Sequence, residues 1–230
     1  MTRLSIIIPC LNEEAVIVRT LQALQPLRAR GADVIVVDGG SSDATCELAR
    51  THADTMLQAP RGRSIQMNAG AARAGGDVLL FLHADSILPP MAGSAIVDGL
   101  AACGRHWGRF DVRIAGRDFL LPLIARSMNL RSRVTGVATG DQGIFVTRDA
   151  FDAVGGFPPL ALMEDIAISK RLRQAYGMPL ALRDTIVTSG RRWDSNGVLR
   201  TLLLMWRLRL AYFAGADSDK LAAHYGPERH

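Results

Sequence analysis

The sequence predicts an α/β fold: a Rossmann-like, mainly parallel central sheet flanked by helices, with a less regular second half. Three observations carry this. Strand-like and helix-like segments alternate through the first half, which implies right-handed crossovers between parallel strands. The strand-like runs are short, apolar and β-branched, as strands buried on both faces must be. The chain has 230 residues, 48% of them hydrophobic, which fits one α/β domain better than two. The whole chain, 1–230, is therefore read as one domain, with halves meeting near residue 115.

Leu4 to Ile8 reads as a buried strand closed by Pro9. Asn12 can cap a following helix, with Glu13 and Glu14 favouring its positive dipole end, and that helix is expected to run to about Arg30. Asp33 to Val37 is a second strand, ending in the turn-forming Asp38-Gly39-Gly40-Ser41-Ser42-Asp43 before a helix from about Ala44. Thr55 to Ala59 is a short strand, Ser64 to Ala74 a helix, and Val78 to Leu82 a strand that runs into His83-Ala84-Asp85. Beyond it, strands are expected near Trp107 to Ile114, Gly143 to Thr147, Leu180 to Leu182 and Ile186 to Thr188. Helices are expected near Phe119 to Arg131, Asp165 to Tyr176 and Asn196 to Ala214.

The net charge of +5 admits anionic partners, whether phosphate-rich small molecules, membranes or nucleic acid. There is no zinc-finger spacing, no stacking-aromatic cluster and no run of five like charges, so nucleic acid is not an expected partner. Cys10, Cys46 and Cys103 are odd in number and widely spaced, which suits a reducing cytosol and a cytoplasmic location. The apolar start is too short for a secretory leader, and no run reaches the roughly 18 to 20 residues a span needs.

In an open parallel sheet, ligands bind beyond the carboxyl ends of the strands. There the sequence places Pro9, Asn12 and Glu13, then Asp38, then His83 and Asp85. Any one of these is also what a turn needs; three strand ends delivering such groups to one rim is less ordinary. No Walker loop or GxGxxG follows the first strand, so a bound diphosphate would need another partner. A divalent cation, Mg²⁺ or Mn²⁺, held by a carboxylate is the usual alternative, and Asp85 is placed for it.

The segments SIIIPCLNEE, VIVVDGGSSDAT, NAGAARAGGDVLLFLHAD and MEDIAISKRL, in this order, resemble the family 2 inverting glycosyltransferases of the GT-A fold. The resemblance covers about Leu4 to Arg173. Closer still, GRSIQMN, FLHADS, GDQGIF and the late RRW resemble a bacterial subgroup described as arsenosugar-biosynthesis glycosyltransferases. The resemblance implies a hexosyltransferase type of enzyme. It would move sugar from a nucleotide-diphosphate sugar, with a UDP-sugar expected, to an acceptor that the sequence does not identify. The first half would hold the donor and the second half the acceptor.

Residue by residue, the resemblance implies that Pro9, Asn12 and Glu13 line the nucleoside pocket and that Asp38 contacts the base. Arg63 and Asn68 would border the nucleotide. His83-Ala84-Asp85 stands where the family has DxD, making Asp85 the metal ligand. His83 departs from that pattern: a second metal ligand, a hydrogen bond to ribose and strand-end packing all remain open. Glu164-Asp165 matches the family's ED pair, with Asp165 as general base. Asp141 would touch the donor sugar or the acceptor, or simply form a turn. Arg192 could neutralise the leaving diphosphate and Trp193 could stack on an acceptor. The last helix places Leu199, Leu202, Leu203, Trp206, Leu210 and Phe213 on one face. Packing on its own domain is the commoner outcome for such a face; a peripheral membrane contact or a homodimer is the other. Two further functions stay in play: a silent nucleotide-sugar-binding or membrane-associated protein, and a sugar nucleotidyltransferase. The latter lacks its glycine-rich loop after the first strand.

Overall fold

The computed structural model describes residues 2–225. In chain order the first half contains β1 (Leu4–Cys10), α1 (Ile17–Ala23), α2 (Gln25–Arg28), β2 (Asp33–Asp38), α3 (Thr45–Arg50), β3 (Thr55–Gln58), α4 (Arg63–Arg73), β4 (Val78–Phe81) and α5 (Ala92–Cys103). The second half contains β5 (Trp107–Ala115), α6 (Leu121–Thr135), a 3-10 turn (Gly140–Gln142), β6 (Ile144–Thr147) and α7 (Arg148–Ala153). It continues through α8 (Glu164–Tyr176), β7 (Leu180–Ser189), α9 (Arg191–Asn196), α10 (Val198–Phe213) and α11 (Ser218–Tyr225).

The strands form one seven-stranded sheet in the order β3-β2-β1-β4-β6-β5-β7. β1 to β4 are parallel to one another, β6 is antiparallel to both β4 and β5, and β7 runs parallel to β5. A mixed α/β fold with a flanked central sheet is therefore what the chain adopts. Strand alternation sorts the core into two layers. Ile6 and Ile8 of β1 pack with Ile17 and Leu21 of α1 and with Ile96 of α5. Ile7, pointing the other way, packs with Met67 and Ala71 of α4 and with Ile168 of α8. Each such isoleucine is fully buried, a gain of roughly 1.5–3 kcal/mol apiece over an exposed side chain.

Three expectations from the sequence need correction. The helix read from Asn12 to Arg30 begins at Ile17 and breaks after Ala23. Asn12 is not its cap: it sits at φ 55° and accepts a bond from the Ser42 amide. Pro26 divides the rest, since it has no N–H to continue the ladder. The two strands read near residues 180 and 186 are one continuous β7, with a register irregularity opposite Arg109 and Asp111. The helix read near Asn196 to Ala214 is α10, and the short α9 before it, separated at Gly197 where φ is 79°, is an addition to the sequence reading. Finally, the apolar face predicted for α10 is largely uncovered: Leu199, Leu203 and Trp206 are each more than 60% exposed, while Leu208 packs on the domain.

Candidate active site

The carboxyl ends of β1 and β4 open into a cavity of about 830 Å³, with α6, α8, α9 and α10 supplying other parts of its lining. That volume is in the range that holds a nucleotide-sized ligand. Among the residues expected from the sequence it gathers Pro9, Glu13, Arg63, His83, Asp85, Asp141, Glu164, Asp165 and Arg192. Asn12, Asp38 and Asn68 line neither it nor a smaller neighbouring cavity that shares Pro9 and Arg63. Those three shape the walls instead. Asp38 is fully buried and accepts bonds from the Gly40 and Ser41 amides and the Ser41 hydroxyl. Asn68 clamps Phe157 with two bonds, donating at 2.8 Å and accepting at 3.0 Å.

The loop after β4 carries Asp85 into the cavity. Thr20 of α1 donates to the Ala84 carbonyl at 2.7 Å, fixing that loop from below. Ile87 bridges to Val187 of β7, and Ser86 donates to Thr188 at 3.2 Å. The Asp85 carboxylate lies 3.8 Å from the Arg191 guanidinium. The same guanidinium donates to Glu13 at 2.8 Å, and Glu13 is almost fully buried. One arginine thus ties the end of β1 to the end of β4 across the cavity floor.

Beside that loop, the 3-10 turn carries Asp141 and the start of α8 carries Glu164 and Asp165. Thr139 and Gln142 cap that turn reciprocally. Its Gly140 amide donates to Asp165 Oδ2 at 3.0 Å, while Asp165 Oδ1 accepts from the Ile166 amide at 2.7 Å. The carboxylate is therefore held from two sides. Met163, immediately before the pair, adopts φ 71° without being glycine. Such backbone costs of order 1 kcal/mol and persists where packing over-determines it; here Met163 is buried among Leu162, Ile166 and Leu208.

His83 faces Asp141, with Nδ1 3.3 Å from Oδ1. Its Nε2 sits so close over Gly140 that a β-carbon there would come within 2.3 Å. Both ring nitrogens are thus turned to the 3-10 turn. Partial burial pushes the Asp141 carboxyl up, but the hydrogen bond and charge of His83, with Arg63 behind it, hold it below its ordinary value. Burial would lower Arg63, yet Glu164 and then Tyr225, Asp141 and Asp165 raise it above its usual range. The centre is a compact acid–base mosaic with arginine balancing several carboxylates. Arg192 lies at the edge, stacked 3.6 Å over the Tyr225 ring and bonded to its carbonyl.

The Glycosyl transferase family 2 model matches residues 5–153, which carry β1 to α7 and the Asp85 loop. The chain belongs to glycosyl transferase family 2. Among curated proteins it is 28% identical to the probable glycosyltransferase YdaM of Bacillus subtilis, over 94% of this chain and 55% of that protein. It is 37% identical to the succinoglycan biosynthesis protein ExoA of Rhizobium meliloti, over 74% of this chain and 58% of that protein. The chain therefore spans little more than half the length of these relatives. Among solved structures it resembles S. aureus TarS 1-349 in complex with UDP-GlcNAc, with TM-score 0.68, 18% identity, and 81% of this chain and 58% of that one covered. It also resembles the mannosyltransferase PcManGT of Pyrobaculum calidifontis in complex with GDP-Man and Mn²⁺, with TM-score 0.66, 21% identity and coverage of 91% and 61%. These likenesses establish the GT-A fold.

For a family 2 chain, the motif residues at the strand ends and at α8 were legible in sequence. Three arginines of the cavity were not chosen there as site residues: Arg191, Arg131 and Arg209. Arg191 had a signal in its place beside the RW pair. Arg131 and Arg209 had none, because an arginine in an amphipathic helix reads as solvated surface.

Proposed function

We propose that this chain transfers a sugar with inversion from a nucleotide-diphosphate sugar, a UDP-sugar in the first instance, to an acceptor hydroxyl. The observation that carries the reading is that Asp85 and the doubly held Asp165 open onto one cavity. Asp165 takes the proton of the acceptor hydroxyl as its oxygen bonds to the anomeric carbon. The bond from that carbon to the diphosphate breaks, and the nucleoside diphosphate leaves with the electron pair. A positioned base of this kind contributes about 10²–10⁴-fold. Arg191 and Arg63 supply positive charge toward the leaving group, Pro9 and Glu13 border the nucleoside, and Asn12, Asp38 and Asn68 act by shaping the loops around it.

The Asp85 donor set fits a divalent cation. Its oxygens are hard ligands, with the Ser86 and Thr188 hydroxyls 3.4 and 3.5 Å from Oδ1. No group of three or more His, Cys, Asp or Glu gathers around a common point among the described residues. Asp85 would thus share Mg²⁺ or Mn²⁺ chiefly with phosphate oxygens, as is usual for Mg²⁺. The cation would supply charge stabilisation on the diphosphate. His83, turned to the 3-10 turn, serves Asp141 in this reading rather than the metal. The halves divide the work near residue 115, donor first and acceptor second. Within the family, the four closer segments support the subgroup described as arsenosugar-biosynthesis glycosyltransferases.

The test is calorimetric titration with a panel of UDP-, GDP- and dTDP-sugars, with Mn²⁺ or with chelator, followed by transfer assays on cell extracts. Binding of one donor class, tighter with Mn²⁺, and a mass-shifted product are expected. No binding to any donor would overturn the proposal. Binding without hydrolysis or transfer would favour a silent nucleotide-sugar-binding protein.

A further inference from the structure

Two features of the cavity remain unused by sugar transfer as described. The first is a pair of arginines. Nε and Nη2 of Arg131 and Nε of Arg209 are buried with no hydrogen-bond partner among the described residues. Burial, then the like charge of Arg209, brings Arg131 down to about 10. Two guanidiniums held together without a carboxylate bonded to either are costly unless an anion joins them. They come from α6 and α10 and line the same cavity as Asp85. Their neighbours on this side are apolar: Ile124 and Met128 of α6, Leu202 and Met205 of α10.

The second is the outer surface of the same two helices. On α6 and just before it, Phe119, Leu123, Leu130 and Val134 are 64–85% exposed. On α10, Leu199, Leu203, Leu210 and Phe213 are 62–68% exposed, the last two also lining the cavity mouth. Each set recurs at intervals of three, four or seven residues and so forms one stripe. The two helices hold three arginines each and no acidic residue. Apolar stripes interleaved with the exposed Arg126, Arg200 and Arg207 match an anionic lipid interface. A two-fold dimer through this face would set arginine against arginine with no acid to answer it.

We propose that the acceptor is an amphiphile carrying a phosphate: Arg131 and Arg209 seat the phosphate near Asp165, and the apolar chain leaves between α6 and α10 toward a lipid surface on which their exposed faces rest. Two guanidiniums match a phosphate monoester, which carries about −1.5 to −2 at neutral pH. The hydroxyl that receives the sugar lies on the same molecule. This deepens the sugar-transfer reading and rests on it.

The experiment titrates the full chain with octyl phosphate, with octanol and with inorganic phosphate, following binding by calorimetry. In parallel it measures UDP binding, vesicle co-sedimentation and oligomeric state. Octyl phosphate is expected to bind at least about 10-fold tighter than either fragment. The Arg131→Ala and Arg209→Ala variants should each lose about 10- to 100-fold of that affinity, the size of a charge-assisted hydrogen bond, with UDP binding unchanged. Vesicles of phosphatidylcholine and phosphatidylglycerol should carry the protein down where phosphatidylcholine alone does not. Leu199→Asp with Leu203→Asp, both exposed and outside the cavity, should abolish that. Inorganic phosphate binding as tightly as octyl phosphate would overturn the proposal. So would loss of UDP binding in the arginine variants, indifference to anionic vesicles, or a dimer that the aspartate variant dissolves. If UDP fails to bind the unaltered chain while octyl phosphate binds as described, sugar transfer falls and the amphiphile site stands.

Discussion

Asp165 and Asp141 sit on adjoining pieces of backbone and have different surroundings. Asp165 is bonded by two amides, whereas Asp141 is held by His83 and Arg63. The depressed Asp141 value has a consequence for stability. A carboxyl whose folded pKa is lowered binds fewer protons in the native state, so it stabilises the fold above its unfolded pKa, about 3.9. That contribution is lost as pH falls through the lowered folded value. Thermal melts of the parent protein should therefore lose stability below about pH 4 more steeply than melts of Asp141→Asn. Equal acid limbs would contradict the assignment. Arg191 is the residue-scale tie between Glu13 and Asp85. Arg191→Ala leaves the buried Glu13 carboxylate without its 2.8 Å partner, a loss of roughly 1–3 kcal/mol. It should lower both the melting temperature and donor affinity, read by calorimetry. Unchanged donor affinity would remove Arg191 from the diphosphate side.

At the scale of elements, α4 sets the position of Arg63 by lying tightly on β1 and β2. The closeness comes from Gly70, where a β-carbon would stand 2.4 Å from Ile7 Cγ2 and 3.0 Å from Val37 Cγ2. Both neighbours are buried, branched and unable to move aside. Gly70→Ala should cost about 1–3 kcal/mol by overpacking and weaken donor binding by displacing Arg63. A variant as stable as the parent would show that the helix can ride outward freely. Elements were legible in sequence where a single physical rule decided them. β1, β2 and β4 carry the continuous apolar runs Ile6-Ile7-Ile8, Val34-Ile35-Val36-Val37 and Val78-Leu79-Leu80-Phe81, a pattern that a doubly covered strand needs. The sequence reading missed α5, α7, α9 and α11. Gly197 at φ 79° separates α9 from α10, and a helix of 6 residues shows too little periodicity to be read from sequence. Likewise the 3-10 turn carrying Asp141 depends on Gln142 reaching back to Thr139, a local bond that periodicity does not encode.

For the molecule as a whole, the sheet explains why one rim holds the chemistry. Parallel β1 to β4 present their carboxyl ends together, and the reversed β6 brings the 3-10 turn, which precedes it, to that same rim beside β4. The antiparallel strand was not foreseeable from the alternation of the first half, because pairing direction is set by chain return rather than by residue pattern. Nor could the sequence show that α10 keeps its apolar face exposed. Amphipathicity states that a face wants cover and leaves open what covers it. No helix among the described residues is long and apolar enough to cross a membrane.

The proposed role of Asp165 is that of the base of a sugar transfer in this cavity. It is tested most directly by comparing Asp165→Asn with the parent protein in two assays, donor binding by calorimetry and transfer from a labelled UDP-sugar to cell-extract acceptors. The substitution keeps the size of the side chain and its bonding to the Gly140 amide through the remaining oxygen. Donor affinity within about threefold of the parent, with transfer reduced by about 100-fold or more, is the result this account requires. Transfer at the parent's rate by Asp165→Asn would contradict it.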